Sequence, residues 1–569
     1  MLQNTIKAIF TSIALFFIIA NNINAQTCKV PKKEVKIRVF GDSWAHFPVI
    51  YKAYDSALVQ YGFPEYISNG DFTVLISMNS EAFLYPIAKA LWQPQIEKDG
   101  RDGTPLMVIS LLGNDIAFKI RKDKPLSILD APLAEAKTNM DTIFDFIHEK
   151  CPNMKILWMC YDFPNFVDPI IDYPWNPYAE MWEDKDRFTP AEVNPFINYM
   201  AHLQDSLVGV WNRPYLHFVN NVGLMQYMYG QPTPLRVAPF GTYPKYSVPF
   251  PGGDENYPTP HAAMGLGGID TYHLSPQGYT FLASYQMRKF FMDYLREDKD
   301  TTIQSLGGNY DGYVSTTSTG NQSIKVGKIA EQETSKGITT FNTAFIEDDI
   351  RIKKASLFIR RKEGNYKSYP NQLYPNNIKL DIISGTFGNE TIELSDFNAT
   401  SSKEDIACAF GNTSRDNYSI RFDIHEEALQ YINKNGLTQF RISIVDTAQG
   451  ESIVHYYTGD TSMYEAPYLD LYYDSNRIVS SIKEIKNHNI TIYPNPTKNI
   501  VNIERLNSSD FGNNLNIRVY STSGNQLMHI EHKKSDKVQI NLKDIANGNY
   551  ILRIDDGNYF ISEQILKYE

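Results

Sequence analysis

The sequence predicts a doubly wound α/β domain built on a parallel sheet, followed by two all-β sandwich domains. Three observations carry this expectation. Apolar runs alternate with helical and loop stretches from Val35 to Arg296, the pattern of repeated βαβ units. Beyond Tyr310 the helical pattern gives way to short strands of period two separated by turn residues. All six tryptophans lie at or before Trp211, which sets the first region apart in composition.

A chain of 569 residues exceeds one compact core and suggests about three domains of ordinary size. A hydrophobic content of 42% with 21% charged residues is that of folded globular protein. The formal net charge of -11 supplies no basic surface, which argues against nucleic acid or an anionic membrane as the principal partner. Soluble substrates fit this balance better.

Taken in order, residues 1–25 read as a signal peptide: Lys7, an apolar stretch from Ala8 to Ala20, then a polar segment ending Ile23-Asn24-Ala25. About 13 apolar residues are short for a bilayer span, so no integral membrane segment is expected after cleavage near Ala25. Cys28 lacks the small apolar neighbour of a lipoprotein signal. The first domain is placed at 34–297, with strands expected at Val35–Phe40, Phe72–Met78, Leu106–Leu112, Met154–Cys160 and Tyr215–Val219. The segment from Glu297 to Asn309 reads as a linker. Residues 310–474 form the first sandwich, with strands such as Ala355–Ile359, Tyr418–Phe422, Phe440–Ile444 and Tyr468–Tyr472. Residues 484–569 form the second. Four cysteines, Cys28, Cys151, Cys160 and Cys408, are too sparse for a disulfide scaffold or a zinc site, and at most one bridge is expected.

Two phrases carry the chemistry. Gly41-Asp42-Ser43-Trp44 follows the first alternating run and presents Ser43 on a tight turn at a strand end. Asp270-Thr271-Tyr272-His273 places an acid three residues before a histidine, so that both can reach one serine. A neutral serine hydroxyl is a poor nucleophile, so Ser43 needs a base, and the base needs a partner to fix its tautomer. His273 and Asp270 meet these needs. Charge developing on an attacked carbonyl needs preorganised donors, for which the backbone N–H of Ser43 and the amide of Asn114 are candidates. No Gly-x-Ser-x-Gly elbow, glycine-rich dinucleotide fingerprint or phosphate loop occurs, and no cofactor is expected.

These residues resemble the SGNH, or GDSL-type, serine esterases and lipases. Gly41-Asp42-Ser43 matches that family's first block, Leu112-Gly113-Asn114-Asp115 resembles its third, and Asp270-x-x-His273 its fifth. The resemblance implies a flavodoxin-like sheet, with Ser43 as nucleophile, His273 as general base and then acid, Asp270 as its orienter and Asn114 as an oxyanion donor. The family's second block places a glycine just after a strand, whereas Phe72–Met78 is followed here by Asn79-Ser80. The third oxyanion donor is therefore unassigned. Asp162, directly after the fourth run, reads as loop structure, and His261 as a residue that could line the pocket.

Residues 310–474 look like the DNRLRE-type modules found beside polysaccharide-acting enzymes, through Lys354-Ala355-Ser356-Leu357 and Ala466-Pro467-Tyr468-Leu469. That resemblance implies glycan binding; a spacer without ligand is the alternative. Ile492-Tyr493-Pro494-Asn495-Pro496, Val519–Gly524 and Asn547–Ile554 closely resemble the type A sorting domain of the type IX secretion system. This implies passage through the periplasm by that machinery to the cell surface or medium.

The expected function is a secreted esterase deacetylating polysaccharide through a Ser-His-Asp acyl-enzyme. Two long loops, Tyr161–Pro195 and Gly230–Gly268, carry aromatics, and Trp175 and Trp182 are the expected sugar-stacking, substrate-binding residues. Two alternatives stay open: a lipase or acyl esterase, and a catalytically inactive glycan-binding or adhesion protein at the surface.

Overall fold

A computed structural model of the chain describes residues 28, 32–117, 119–122, 124–172, 175–176, 178–184, 187–230, 245–296, 299–330, 333–347, 350–362, 378–411, 418–444, 452–461, 465–473, 483–484, 491–504, 514–521, 526–533, 537–543, 545–555 and 559–568. The signal-peptide segment 1–25 lies outside the described residues. The chain divides into two compact units, one of which ends at Tyr473, while the other holds Asp474–Glu569.

The larger unit begins with five parallel strands: β1 (Glu34–Gly41), β2 (Tyr66–Asn69), β3 (Leu106–Ser110), β4 (Lys155–Met159) and β5 (Leu216–Val219), in the order β2-β1-β3-β4-β5. The central β3, Leu-Met-Val-Ile-Ser, is buried throughout, as a parallel strand covered on both faces must be. The helices that cover the sheet include α1 (Ser43–Ile50), α2 (Ala53–Gln60), α3 (Pro86–Asp102), α4 (Asp130–Lys150), α5 (Pro190–Trp211) and α6 (Pro276–Gln286). Helix α5 starts where its sequence directs: Pro190 takes the first turn and the Glu192 carboxylate accepts the Thr189 N–H at 2.7 Å.

One expected strand is displaced. The second strand is Tyr66–Asn69, not Phe72–Met78. Phe72 and Ser77 take left-handed φ values of 57° and 61°, which breaks the run into turns. Only Val74 bridges to the sheet, at Gly41. The Asp55 carboxylate instead fixes β2 by accepting the Ser68 N–H (2.7 Å) and hydroxyl (2.8 Å).

The remainder of this unit is antiparallel. One five-stranded sheet orders Ala407–Gly411, Ser419–Ile424, Ile352–Arg360, Tyr468–Tyr473 and Thr301–Gln304, and a seven-stranded sheet is built around Glu333–Asn342 and Leu437–Ile444. The segment read as a linker thus supplies an edge strand, Thr301–Gln304, paired to Tyr468–Leu471. Phe358 and Tyr468 of the five-stranded sheet, with Tyr418 just before its strand Ser419–Ile424, share one apolar core with the α/β layers. Buried ion pairs cross the same boundary: Arg296 grips Asp470 with two bonds of 2.6 and 2.7 Å, and Arg421 holds Glu65 at 2.6 Å. A disulfide joins Cys28 to Cys408, while Cys151 and Cys160 are buried free thiols.

The smaller unit holds a five-stranded and a three-stranded sheet. Strand Lys537–Asn541 buries Val538 and Ile540 between exposed neighbours, and these join Val501, Ile517, Leu552 and Ile554 in a core of its own.

Candidate active site

The site is built at the carboxyl ends of β1, β3 and β4. Gly41 closes β1 at φ 133°, and a Cβ there would meet the Ser110 carbonyl oxygen at 1.9 Å, so the chain can make this turn only with glycine. Asp42 follows as the cap of α1, its carboxylate accepting the Trp44 N–H at 3.0 Å. Ser43 is thereby placed as the first residue of α1, above the sheet.

His273 approaches from the segment before α6. Its Nε2 lies 2.8 Å from Ser43 Oγ and its Nδ1 2.9 Å from Asp270 Oδ2. The other Asp270 oxygen accepts the N–H groups of Tyr272 (2.8 Å) and His273 (2.9 Å). Burial pushes the Asp270 carboxyl up, but the His273 side chain and these backbone donors outweigh it and hold it below the usual range. The segment is fixed by Gly265, whose N–H donates to the His273 carbonyl at 2.8 Å, and the Phe47 ring lies 4.6 Å from the imidazole.

Asn114 stands on a one-turn helix, Gly113–Ile116, beyond β3. Its Nδ2 donates to the Met78 carbonyl at 2.9 Å and lies 3.5 Å from Asp42 Oδ2. The glycine just before it has a local cause: a Cβ on Gly113 would meet the Tyr161 ring at 2.5 Å. Asp115 anchors the facing loop by accepting the Ser80 hydroxyl at 2.6 Å.

Tyr161 escaped the sequence reading. Its hydroxyl makes a short hydrogen bond to Asp42 Oδ2, while Ser110 Oγ donates to Asp42 Oδ1 at 3.2 Å. Burial raises the Asp42 carboxyl to about 7 despite these donors and the nearby His273. The available signal was position: Tyr161, like Ser43 and Asn114, follows the carboxyl end of a parallel strand. Its neighbour Asp162 is loop structure, accepting the N–H groups of Phe163 (2.8 Å), Gly223 (2.7 Å) and Met225 (2.9 Å). Burial raises it to about 6.

Ser43, Asn114 and His273 line one cavity of about 420 Å³, together with Ser77, Phe47, Ile116, Ile120, Tyr178, Phe188, Val193, Ile197 and Met200. Trp175 and Trp182 do not line it. Trp175 is 69% exposed, and Trp182 donates its indole N–H to the Phe188 carbonyl at 3.0 Å. His261 also lies off the wall, at the Gly268 carbonyl (3.0 Å). Among the described residues metal-type donors gather only at Cys28, Cys408 and His425, where the two sulfurs are already bonded to each other.

Residues 491–568 match the family model of the secretion system C-terminal sorting domain. This tail indicates type IX secretion, and therefore engagement with that machinery and export to the cell surface or the medium. Among the described residues no helix is long and apolar enough to cross a membrane. No curated protein matches the chain. Among solved structures the chain is similar to an extracellular lipase from Streptomyces rimosus, at 13% identity and a TM-score of 0.25, over 45% of this chain and 99% of that one. It is also similar to a β-glucuronidase from Ruminococcus gnavus, at 11% identity and a TM-score of 0.16, over 47% and 45%. Likenesses this low carry no argument about activity.

Proposed function

We propose that residues 34–297 form a serine ester hydrolase of the SGNH type, carried on an exported chain. The observation that carries this reading is the relay from Asp270 through His273 to Ser43, with bonds of 2.9 and 2.8 Å, both within the reach that proton transfer needs. The strand order β2-β1-β3-β4-β5 supports it, being the flavodoxin-type order, whose ligands bind beyond the carboxyl ends of the strands.

In this mechanism Ser43 Oγ bonds to the ester carbonyl carbon as its proton passes to His273 Nε2. Asp270 keeps Nδ1 protonated and stabilises the imidazolium. The oxyanion receives the Ser43 N–H and the Asn114 amide, whose long 3.5 Å contact to Asp42 is the one that yields. Ser77, on the cavity wall with left-handed φ, supplies our third donor through its backbone N–H. Collapse breaks the alkoxy C–O bond, and His273 protonates the departing alcohol. Water then repeats the sequence on the acyl-enzyme, releasing the acid and restoring Ser43.

The central sandwich, assigned to residues 310–474, braces this domain; its shared core with the α/β layers supports that role over one as a tethered module. Ser43→Ala in the full chain is expected to lower short-chain aryl-ester turnover at least 1,000-fold with an unchanged circular dichroism spectrum. Wild-type turnover in that variant overturns the assignment.

A further inference from the structure

We propose that the cavity beside Ser43 is an acyl pocket, and that the preferred substrates are esters of linear hydrocarbon acids of about six to ten carbons rather than acetylated polysaccharides. The proposal rests on the ester-hydrolase reading above and deepens it. Its first support is the chemistry of the wall. Ile116 and Ile120 continue from Asn114, and Val193, Ile197 and Met200 come from α5. The last three are spaced at i, i+4 and i+7, so one face of a single helix supplies them. Four of the five side chains are 5% exposed or less, and Ile197 is 8% exposed.

The carboxylates in the lining are poor readers of sugar hydroxyls. Asp42 is taken up by Tyr161, Ser110 and the Trp44 N–H. Asp162 accepts three backbone N–H groups, and Asp270 serves His273. The tryptophans expected to stack on sugar rings lie off the cavity. Its lip is apolar instead: Ile76 and Leu266 both line it, and they are 50% and 63% exposed.

The reaction itself decides which part of an ester enters. The departing alcohol takes its proton from His273 Nε2, so it leaves on the histidine side, beside Phe47. The carbonyl oxygen turns to Ser43 N–H and Asn114, and the wall that continues from Asn114 receives the acyl chain. Size agrees with this assignment. A methylene fills roughly the volume of a liquid water molecule, ~30 Å³, so a cavity of about 420 Å³ admits a chain of that length beside the reacting ester. An acetyl methyl would leave most of it to water. Each methylene moved from water onto this wall is expected to raise kcat/KM by up to about fourfold, the full-burial limit, until the pocket is full.

The test is the chain-length profile of the full-length protein on aryl esters from acetate to palmitate, run beside acetate release from an acetylated polysaccharide. We expect kcat/KM to rise at least ~10-fold from acetate to octanoate and to level off near ten carbons. Val193→Trp intrudes on the pocket and is expected to move the optimum to chains at least about two carbons shorter. Ile197→Phe, a smaller intrusion, gives the same shift in part should Val193→Trp not fold. A profile that peaks at acetate, polysaccharide deacetylation that outpaces octanoate hydrolysis, or a folded filled variant that keeps its octanoate preference overturns the acyl pocket. Failure of the underlying reading looks different: no ester of any length is then turned over in a Ser43-dependent way.

Discussion

The pocket around Ser43 and the boundary between the α/β layers and the sandwich bury charge in opposite ways. Around Ser43 the buried carboxylates Asp42 and Asp162 are held by hydroxyls and backbone N–H groups with no arginine among the described residues against them, and burial raises both. At the boundary with the sandwich each buried acid meets a guanidinium: Asp470 with Arg296, Glu65 with Arg421. Within the sandwich Asp381 meets Arg441 in the same way. A buried acid bonded to a guanidinium pins two elements together. A buried acid without one is poised to change protonation near neutrality, and such groups concentrate where chemistry is done. The difference separates a brace from the surface proposed to do the chemistry, and it is local to these two regions: Asp99 in the α/β layers is paired with Arg38, and Asp311 in the sandwich is raised by burial with backbone N–H donors against it.

Breaking the brace gives the largest expected effect on stability. Asp470→Ala removes the bidentate partner of the Arg296 guanidinium, leaving it the exposed Asp293 at 3.8 Å and the Thr302 hydroxyl at 3.3 Å, with the Tyr468 ring 3.8 Å beneath. Removing one partner of a buried pair costs about 3–5 kcal/mol, and urea melts should show the α/β and sandwich signals falling together, since they share a core. Separate transitions would show that the two halves are independent after all.

The working surface is distinguished by pH. Asp42 has an unfolded value of 3.8 and a folded value of about 7, so between these the folded state holds the extra proton. Stability is therefore greatest at the acid end of that window and declines as pH rises through it, by about 1.4 kcal/mol per pH unit at its steepest for one group. Asp162 adds the same sign up to about 6, while Asp270, held low, acts in the opposite sense below the usual carboxylate range. Asp42→Asn should remove most of the slope near pH 6–7 in thermal melts and leave Asp162's share below it. An unaltered slope would mean that Asp42 does not titrate there.

The site was more legible in the sequence than the architecture around it. Gly41-Asp42-Ser43 and Asp270-x-x-His273 are local phrases whose spacing limits what they can do, and the geometry brings Ser43, Asp270 and His273 into hydrogen-bond contact. Four of the five parallel strands were visible as apolar runs, because buried strands must be apolar on both faces. Phe72–Met78 misled because period and composition do not report φ, and two left-handed residues decide its path. Trp175 and Trp182 lie off the cavity, and Trp182 is tied to its own loop through the Phe188 carbonyl, because aromatic rings pin loops as readily as they stack on ligands. The pairing of Thr301–Gln304 into a distant sheet, and that of Tyr161 with Asp42 across 119 positions, are contacts between segments with no local signature at all.

That last pair offers the finest test of the comparison. Tyr161→Phe keeps the ring packed against Gly113 and Trp44 and removes only the hydroxyl. Burial dominates the elevation of Asp42, and the Tyr161 hydroxyl is the foremost group opposing it; without that donor the carboxyl should rise further and stay protonated to higher pH. The variant must then either hold a proton against solvent or bury a carboxylate short of one partner, at about 1–3 kcal/mol. The loss should accordingly be larger at pH 8, where the ionised form is demanded, than at pH 5, where a protonated Asp42 needs the donor less. Thermal melts of both proteins at the two pH values measure this difference directly. Equal losses at pH 5 and pH 8 would reduce the pair to ordinary packing, and with it the distinction between a titrating working surface and an arginine-pinned brace.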